Sequence, residues 1–222
     1  MARRERPRVA GLPVHIIQRG NNRQACFYAE ADYRYFLRQL SELATRCWCE
    51  VHAYVLMTNH VHLLLTPSLP GGASLLMKLL DQHYVQYINR TYRRSGTLWD
   101  GRFRSSLIQD GRYVLACYRY IEMNPVRPNM VNHPAEYPWS SYASNATGQA
   151  MSWLTPHGEY LALGSDDEKR RAAYRGLFDG EVDSQLLRDI RVSAHGGHAL
   201  GSRFREAAKQ ALQRSENLSI LA

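Results

Sequence analysis

The chain has 222 residues and a formal net charge of +8, with 28 Lys and Arg against 20 Asp and Glu. That length holds one domain with an appendage, or two small ones, around a real core, and no apolar run approaches the roughly 20 residues of a membrane helix. No apolar stretch follows the opening Met-Ala-Arg-Arg-Glu-Arg, so the expectation is a cytoplasmic protein without membrane contact.

Most of the basic residues are Arg, whose planar fork suits phosphates and stacks on bases, so nucleic acid is one reading of the charge. A basic surface with no specific partner is the other. Cys26, Cys47, Cys49 and Cys117 show neither a Cys-x-x-Cys pair nor a repeated spacing, which predicts reduced, buried thiols.

In chain order, Arg3, Arg4, Arg6 and Arg8 surround Pro7 in an arm too polar to pack, either a solvated tail or a phosphate-binding segment. Leu12 to Arg19 alternates as a strand does, and Gly20-Asn21-Asn22-Arg23 closes it with a turn. Arg19, Asn21, Asn22 and Arg23 could read a nucleotide edge or a phosphate, although Asn and Gly also occupy turns for conformational reasons alone.

Ala31 to Arg46 carries Tyr33, Phe36, Leu37, Leu40, Leu43 and Ala44 at spacings of three and four, which predicts an amphipathic helix. Cys49 to Met57 and His60 to Thr66 read as two strands, with Thr58-Asn59 as the hairpin turn between them. Side chains alternate along a strand, so His60 and His62 share one face while Val61, Leu63 and Leu65 take the other. Two imidazoles side by side suggest half of a metal site, or else a structural pair.

Ser74 to Tyr92 predicts a long helix with Arg90, Arg93 and Arg94 at its C-terminal end, where cations satisfy the helix dipole. Gly96 to Ile108 interleaves Trp99, Arg102, Phe103 and Arg104, as suits single-stranded nucleic acid; an edge hairpin with a core aromatic is the competing account. Asp110 predicts an N-cap for a helix that reaches Asn124 before Pro125 stops it. Tyr120 and Asn124 stand one turn apart on it, though in a chain with fourteen tyrosines position alone gives Tyr120 no special status.

The small, polar stretch Asn145 to Ala150 marks a boundary between residues 1–145 and 146–222. Beyond it, helices are predicted over Asp166 to Phe178, Asp183 to Ala194 and Ser202 to Gln213. The last two form either a helix-turn-helix or plain packing units.

With His60-Val61-His62 and Tyr120-Ile121-Glu122-Met123-Asn124-Pro125-Val126-Arg127 both in view, the chain resembles the REP-associated tyrosine transposases. These are bacterial relatives of the single-tyrosine transposases in the HUH nuclease superfamily. The likeness covers Val14 to about Tyr142 and includes His-Ile-Ile-Gln-Arg-Gly-Asn-Asn-Arg-Gln, Leu-Trp-Asp-Gly-Arg-Phe and Trp-Ser-Ser-Tyr.

It implies an α+β, ferredoxin-like antiparallel sheet with packed helices, followed here by a helical C-terminal extension. It also implies cleavage and rejoining of single-stranded DNA beside a REP-type palindromic hairpin and a short guide sequence, with the protein nucleoid-associated when bound. Carried over by position, Tyr120 is the nucleophile, His60 and His62 bind Mg²⁺ or Mn²⁺, and Asn124 supplies a third ligand. Arg3, Arg4, Arg19, Asn21, Asn22, Arg23, Trp99, Arg102 and Arg104 are the candidates for DNA contact. The Arg-rich arm departs from the family's commoner pattern and bears on which bases are read, not on the cutting chemistry. A domesticated hairpin-binding protein with vestigial cleavage is the alternative, and a zinc hydrolase a third reading that lacks a further soft ligand. A monomer is favoured over a dimer.

Overall fold

The computed structural model describes residues 9–180, 184–196 and 200. Arg3, Arg4 and the helix expected over Ser202 to Gln213 lie outside them.

Four strands, β1 (Val14–Arg19), β2 (Cys49–Met57), β3 (His60–Pro67) and β4 (Arg104–Leu107), form one antiparallel sheet in the order β2-β3-β1-β4. The two-residue turn Thr58-Asn59 fixes the hairpin register at Met57↔His60, and a bulge between Val51 and Ala53 adjusts its far end. β3 is internal, as its apolar run Leu63-Leu64-Leu65 requires. Helices α1 (Glu30–Arg46) and α2 (Gly72–Thr91) begin one or two residues earlier than their apolar periodicity predicts.

Alternation sends the sheet's residues to two different cores. Val14, Ile16, Leu56, Val61, Leu63 and Leu65 meet Phe36, Leu40, Leu76, Leu80 and Tyr84 of α1 and α2. Ala53, Val55 and Leu64 on the opposite face meet Val114, Cys117, Tyr118 and Ile121 of α3 (Gly111–Glu122). The antiparallel sheet between packed helices is the α+β fold that the sequence resemblance implied, and all four cysteines are buried free thiols.

Asp110 caps α3 by accepting from the Arg112 amide, but the helix closes at Glu122, two residues short of the expected end. Asn124 therefore sits in the turn beyond it. Among the described residues four further α-helices follow: α4 (Tyr142–Thr147), α5 (Gly158–Leu161), α6 (Asp167–Asp179) and α7 (Ser184–Gly196). They share the second core with α3 through Tyr142, Tyr160, Tyr174 and Ile190.

The knot of that packing is Glu122, wholly buried on α3. Its Oε1 accepts from Ser141 Oγ at 2.5 Å and Asn145 Nδ2 at 2.8 Å, and its Oε2 accepts from Tyr174 Oη at 2.6 Å. Burial outweighs these bonds and pushes the carboxyl up to about 7. The folded state therefore holds a proton that the unfolded chain has already released, so the contribution of Glu122 taken by itself falls as pH rises from about 4.5 to 7, while the buried histidines act in the opposite sense. Chemical denaturation across that range should show Glu122→Gln free of this loss. The wild type should forfeit on the order of 3 kcal/mol relative to the variant by pH 7, an interval set by the displaced pKa.

Candidate active site

The face of the sheet beneath α3 carries the polar residues. Pairing of β1 with β3 sets Arg19 opposite His60, Ile17 opposite His62 and His15 opposite Leu64. His15 and His62 are thus diagonal neighbours on one face, the arrangement in which long or aromatic side chains reach each other. Their rings lie edge to edge and nearly coplanar, with centroids 5.1 Å apart and 15° between planes, and His15 Nε2 lies 2.9 Å from His62 Nδ1. The ring of His60 meets that of His62 edge-on at 5.1 Å, and its Nδ1 lies 2.7 Å from Asn59 Oδ1.

Tyr120 comes down on this group from α3. Its ring meets the edges of His62 at 5.7 Å and of His15 at 5.8 Å. The guanidinium of Arg127 lies over the phenol at 4.2 Å and donates through Nη2 to the Tyr120 carbonyl at 3.0 Å. Arg191 of α7, itself exposed, hydrogen-bonds the Tyr120 side chain. Asn124 donates through Nδ2 to the carbonyls of Tyr120 (2.9 Å) and Ile121 (3.2 Å), capping the end of α3, and also hydrogen-bonds His60.

Burial sets the charge states. Desolvation lowers His15 to about 3, lowers His60 to about 4 with help from the Arg19 charge, and holds His62 well below the ordinary value. All three imidazoles are neutral at pH 7 and offer lone pairs. Burial raises the Tyr120 phenol, against the pull of Arg127 and Arg191, while burial brings Arg127 down to about 10.

The donor set suits a small divalent cation. In both His60 and His62 the δ nitrogen is engaged by a protein neighbour, so Nε2 is the atom that would meet a ligand, in His60 by displacing its bond to Asn124. Asn124 uses its amide nitrogen on the backbone, so its oxygen is the atom that could turn to a ligand, in exchange for the bond to His60. Among the described residues, no group of three or more His, Cys, Asp or Glu side chains is arranged to hold a metal. A cation here would therefore rest on two imidazoles and an amide oxygen, a mixed set with room for water and phosphate.

Residues 8–124 match the family model described as Transposase IS200 like. The chain belongs to the IS200-like transposase family. The fold of the transposase is similar to a solved REP-associated tyrosine transposase bound to a REP hairpin, with a TM-score of 0.59 at 15% identity over 71% of this chain and 99% of that one. It also matches a putative transposase from Deinococcus radiodurans R1, with a TM-score of 0.38 at 22% identity over 55% of this chain and 96% of that one. Comparison with curated proteins gives no match.

The DNA-contact candidates divide. Arg19, half-buried, and Asn21, Asn22 and Arg23 lie at the His60 end of the sheet, where Gly20 bridges to Trp99. Asn22 and Arg23 are exposed at positive φ, and Arg102 and Arg104 are exposed as well. Trp99 does not fit a base-stacking role: only 4% exposed, it stacks on Tyr84 at 5.8 Å in the first core, and Phe103 is buried with it. The Gly96–Ile108 segment is thus a loop anchored by core aromatics that leads into the edge strand β4. Both rings lie in the core that the sheet shares with α1 and α2, and the bridge from Trp99 to Gly20 holds the segment against the end of β1.

Among the described residues no helix is long and apolar enough to cross a membrane. Sequence reasoning passed over His15, Asn59, Arg127 and Arg191. The alternation that puts His15 in register with Ile17 and Arg19 was readable, but its partner strand was not.

Replacing Arg127 with Met should remove both the contact over the phenol and the hydrogen bond to the end of α3. A loss of about 1–3 kcal/mol in urea denaturation is expected.

Proposed function

We propose that this transposase is a tyrosine-dependent single-stranded DNA endonuclease and strand transferase acting at REP-type palindromic hairpins. The observation that carries this reading is the meeting of the Tyr120 phenol with the His60–His62–Asn124 group. The similarity to a transposase solved with a REP hairpin supports the choice of substrate.

In the reaction, the Tyr120 oxygen attacks the scissile phosphorus, its proton leaves to water, and the bond from phosphorus to the 3′ oxygen breaks. The products are a 5′-phosphotyrosine and a 3′-hydroxyl, which takes up a proton. One diester replaces another, so the reverse attack rejoins the strands without ATP. Tyr120 needs help because its buried phenol resists ionisation, and Arg127 and Arg191 both favour the phenolate. Arg191 is exposed, so a phosphate oxygen can approach the phenol along its guanidinium. His60, His62 and the Asn124 oxygen would hold Mg²⁺ or Mn²⁺, which when bound supplies Lewis-acid polarisation of the scissile phosphate. Arg19, Asn21, Asn22 and Arg23 at the His60 end, with Arg102 and Arg104 on the edge segment, are placed to track the strand. The enzyme works as a monomer on DNA in the cytoplasm, where the nucleoid supplies its target.

Denaturing gels of the protein with a labelled hairpin and its single-stranded flank test this reading. Tyr120→Phe should abolish the covalent adduct and leave hairpin binding within a few-fold, since only one hydroxyl is lost; an adduct that survives would move the nucleophile elsewhere. His60→Ala should remove the metal-dependent cleavage. Tight binding with no cleavage in Mn²⁺ by the wild type would favour the domesticated binding protein instead. Binding should weaken with salt at a log–log slope of about −0.7 per neutralised phosphate, and Arg102→Ala should make that slope shallower by about 0.7.

A further inference from the structure

His15 is a third imidazole in the site with no part in the chemistry above. It stands on β1 with its ring buried, edge to edge and nearly coplanar with His62 and steeply inclined to Tyr120. Its Nε2 faces His62 Nδ1 at 2.9 Å, while its Nδ1 meets no hydrogen-bond partner among the described residues. A core position gains nothing from a half-satisfied imidazole that an aliphatic side chain could replace.

Two neutral imidazoles share one proton in that hydrogen bond, and the choice of donor decides what His62 can do. If His15 donates from Nε2, the His62 proton sits on Nε2 and blocks that nitrogen. If His62 donates from Nδ1, its Nε2 lone pair is free, and the His15 proton moves to the unpartnered Nδ1. Only the second arrangement lets His62 ligate a cation through Nε2. The partner atom of a ligating histidine commonly fixes its tautomer and ring plane in this way.

We infer that His15 is a positioning residue for the cation site: it accepts the Nδ1 proton of His62, so that Nε2 is presented as a lone pair in a fixed ring plane. The role rests on the divalent-cation reading above. It makes the buried, unpaired His15 nitrogen a cost to stability that serves binding.

Manganese binding to the full-length protein without DNA, followed by loss of the free Mn²⁺ electron paramagnetic resonance signal, tests the role. His15→Leu should weaken binding by roughly 10- to 100-fold. His15→Gln, whose amide oxygen can accept from the same Nδ1–H, should bind within about threefold of the wild type. Melting without metal should show His15→Leu at least as stable as the wild type, which a merely structural histidine would not give. Long-range nitrogen–proton spectra should find the His62 proton on Nδ1 in the wild type; an Nε2–H tautomer in the metal-free and metal-bound protein alike would overturn the proposal. So would wild-type affinity in His15→Leu alongside lost binding in His60→Ala, or equal losses in the Leu and Gln variants. Absence of Mn²⁺ binding by the wild type would reject the cation site itself, and adduct formation by Tyr120 would then be judged separately on the gels.

Discussion

The site depends on the register between β1 and β3. Because Arg19 pairs with His60 and Ile17 with His62, the three imidazoles of His15, His60 and His62 share one sheet face and touch through it. A slip by one residue would send His15 to the α1–α2 core and bring Val14 or Ile16 to the histidines. The register is held from both sides. The Thr58-Asn59 turn fixes β3 against β2, and the apolar sets of the two faces are each matched to a separate core.

On that face α3 performs two tasks with adjacent residues. Val114, Cys117, Tyr118 and Ile121 bind it to the sheet, and Glu122 ties it to Ser141, Asn145 and Tyr174. Tyr120 is thereby aimed at the histidines by packing and not by contacts of its hydroxyl alone. Just beyond the helix, Asn124 closes two open carbonyls and keeps its oxygen beside His60. Breaking the helix at Glu122 is what allows this, since a side chain in the following turn can fold back over the helix end.

The cost of this arrangement is electrostatic. Neutral imidazoles, a protonated phenol and a carboxyl displaced to about 7 are what burial enforces, and they contrast with the guanidinium groups of Arg127 and Arg191 at the phenol. The imidazoles stay unprotonated at neutral pH, while burial opposes ionisation of the Tyr120 phenol and the Arg127 and Arg191 charges favour it.

Local pattern was enough for much of this. The hairpin at Thr58-Asn59, the shared face of His60 and His62, the helices α1 and α2, the Asp110 cap and the burial of the cysteines all follow from periodicity and turn chemistry, which act over a few residues. The ordered motifs around His60 and Tyr120 pointed to the family. Trp99 shows the limit: an aromatic beside arginines reads equally well as a stacking platform or an anchor, and only its bridge to Gly20 and its packing on Tyr84 of α2 turned it inward. His15, Asn59, Arg127 and Arg191 entered the site because strands and helices far apart in sequence met there. The sequence by itself determined the family motifs and the shared face of His60 and His62. The tertiary structure decided which side chains face one another, because strand register and helix docking are set by burial summed over the whole chain, and no local window contains that sum.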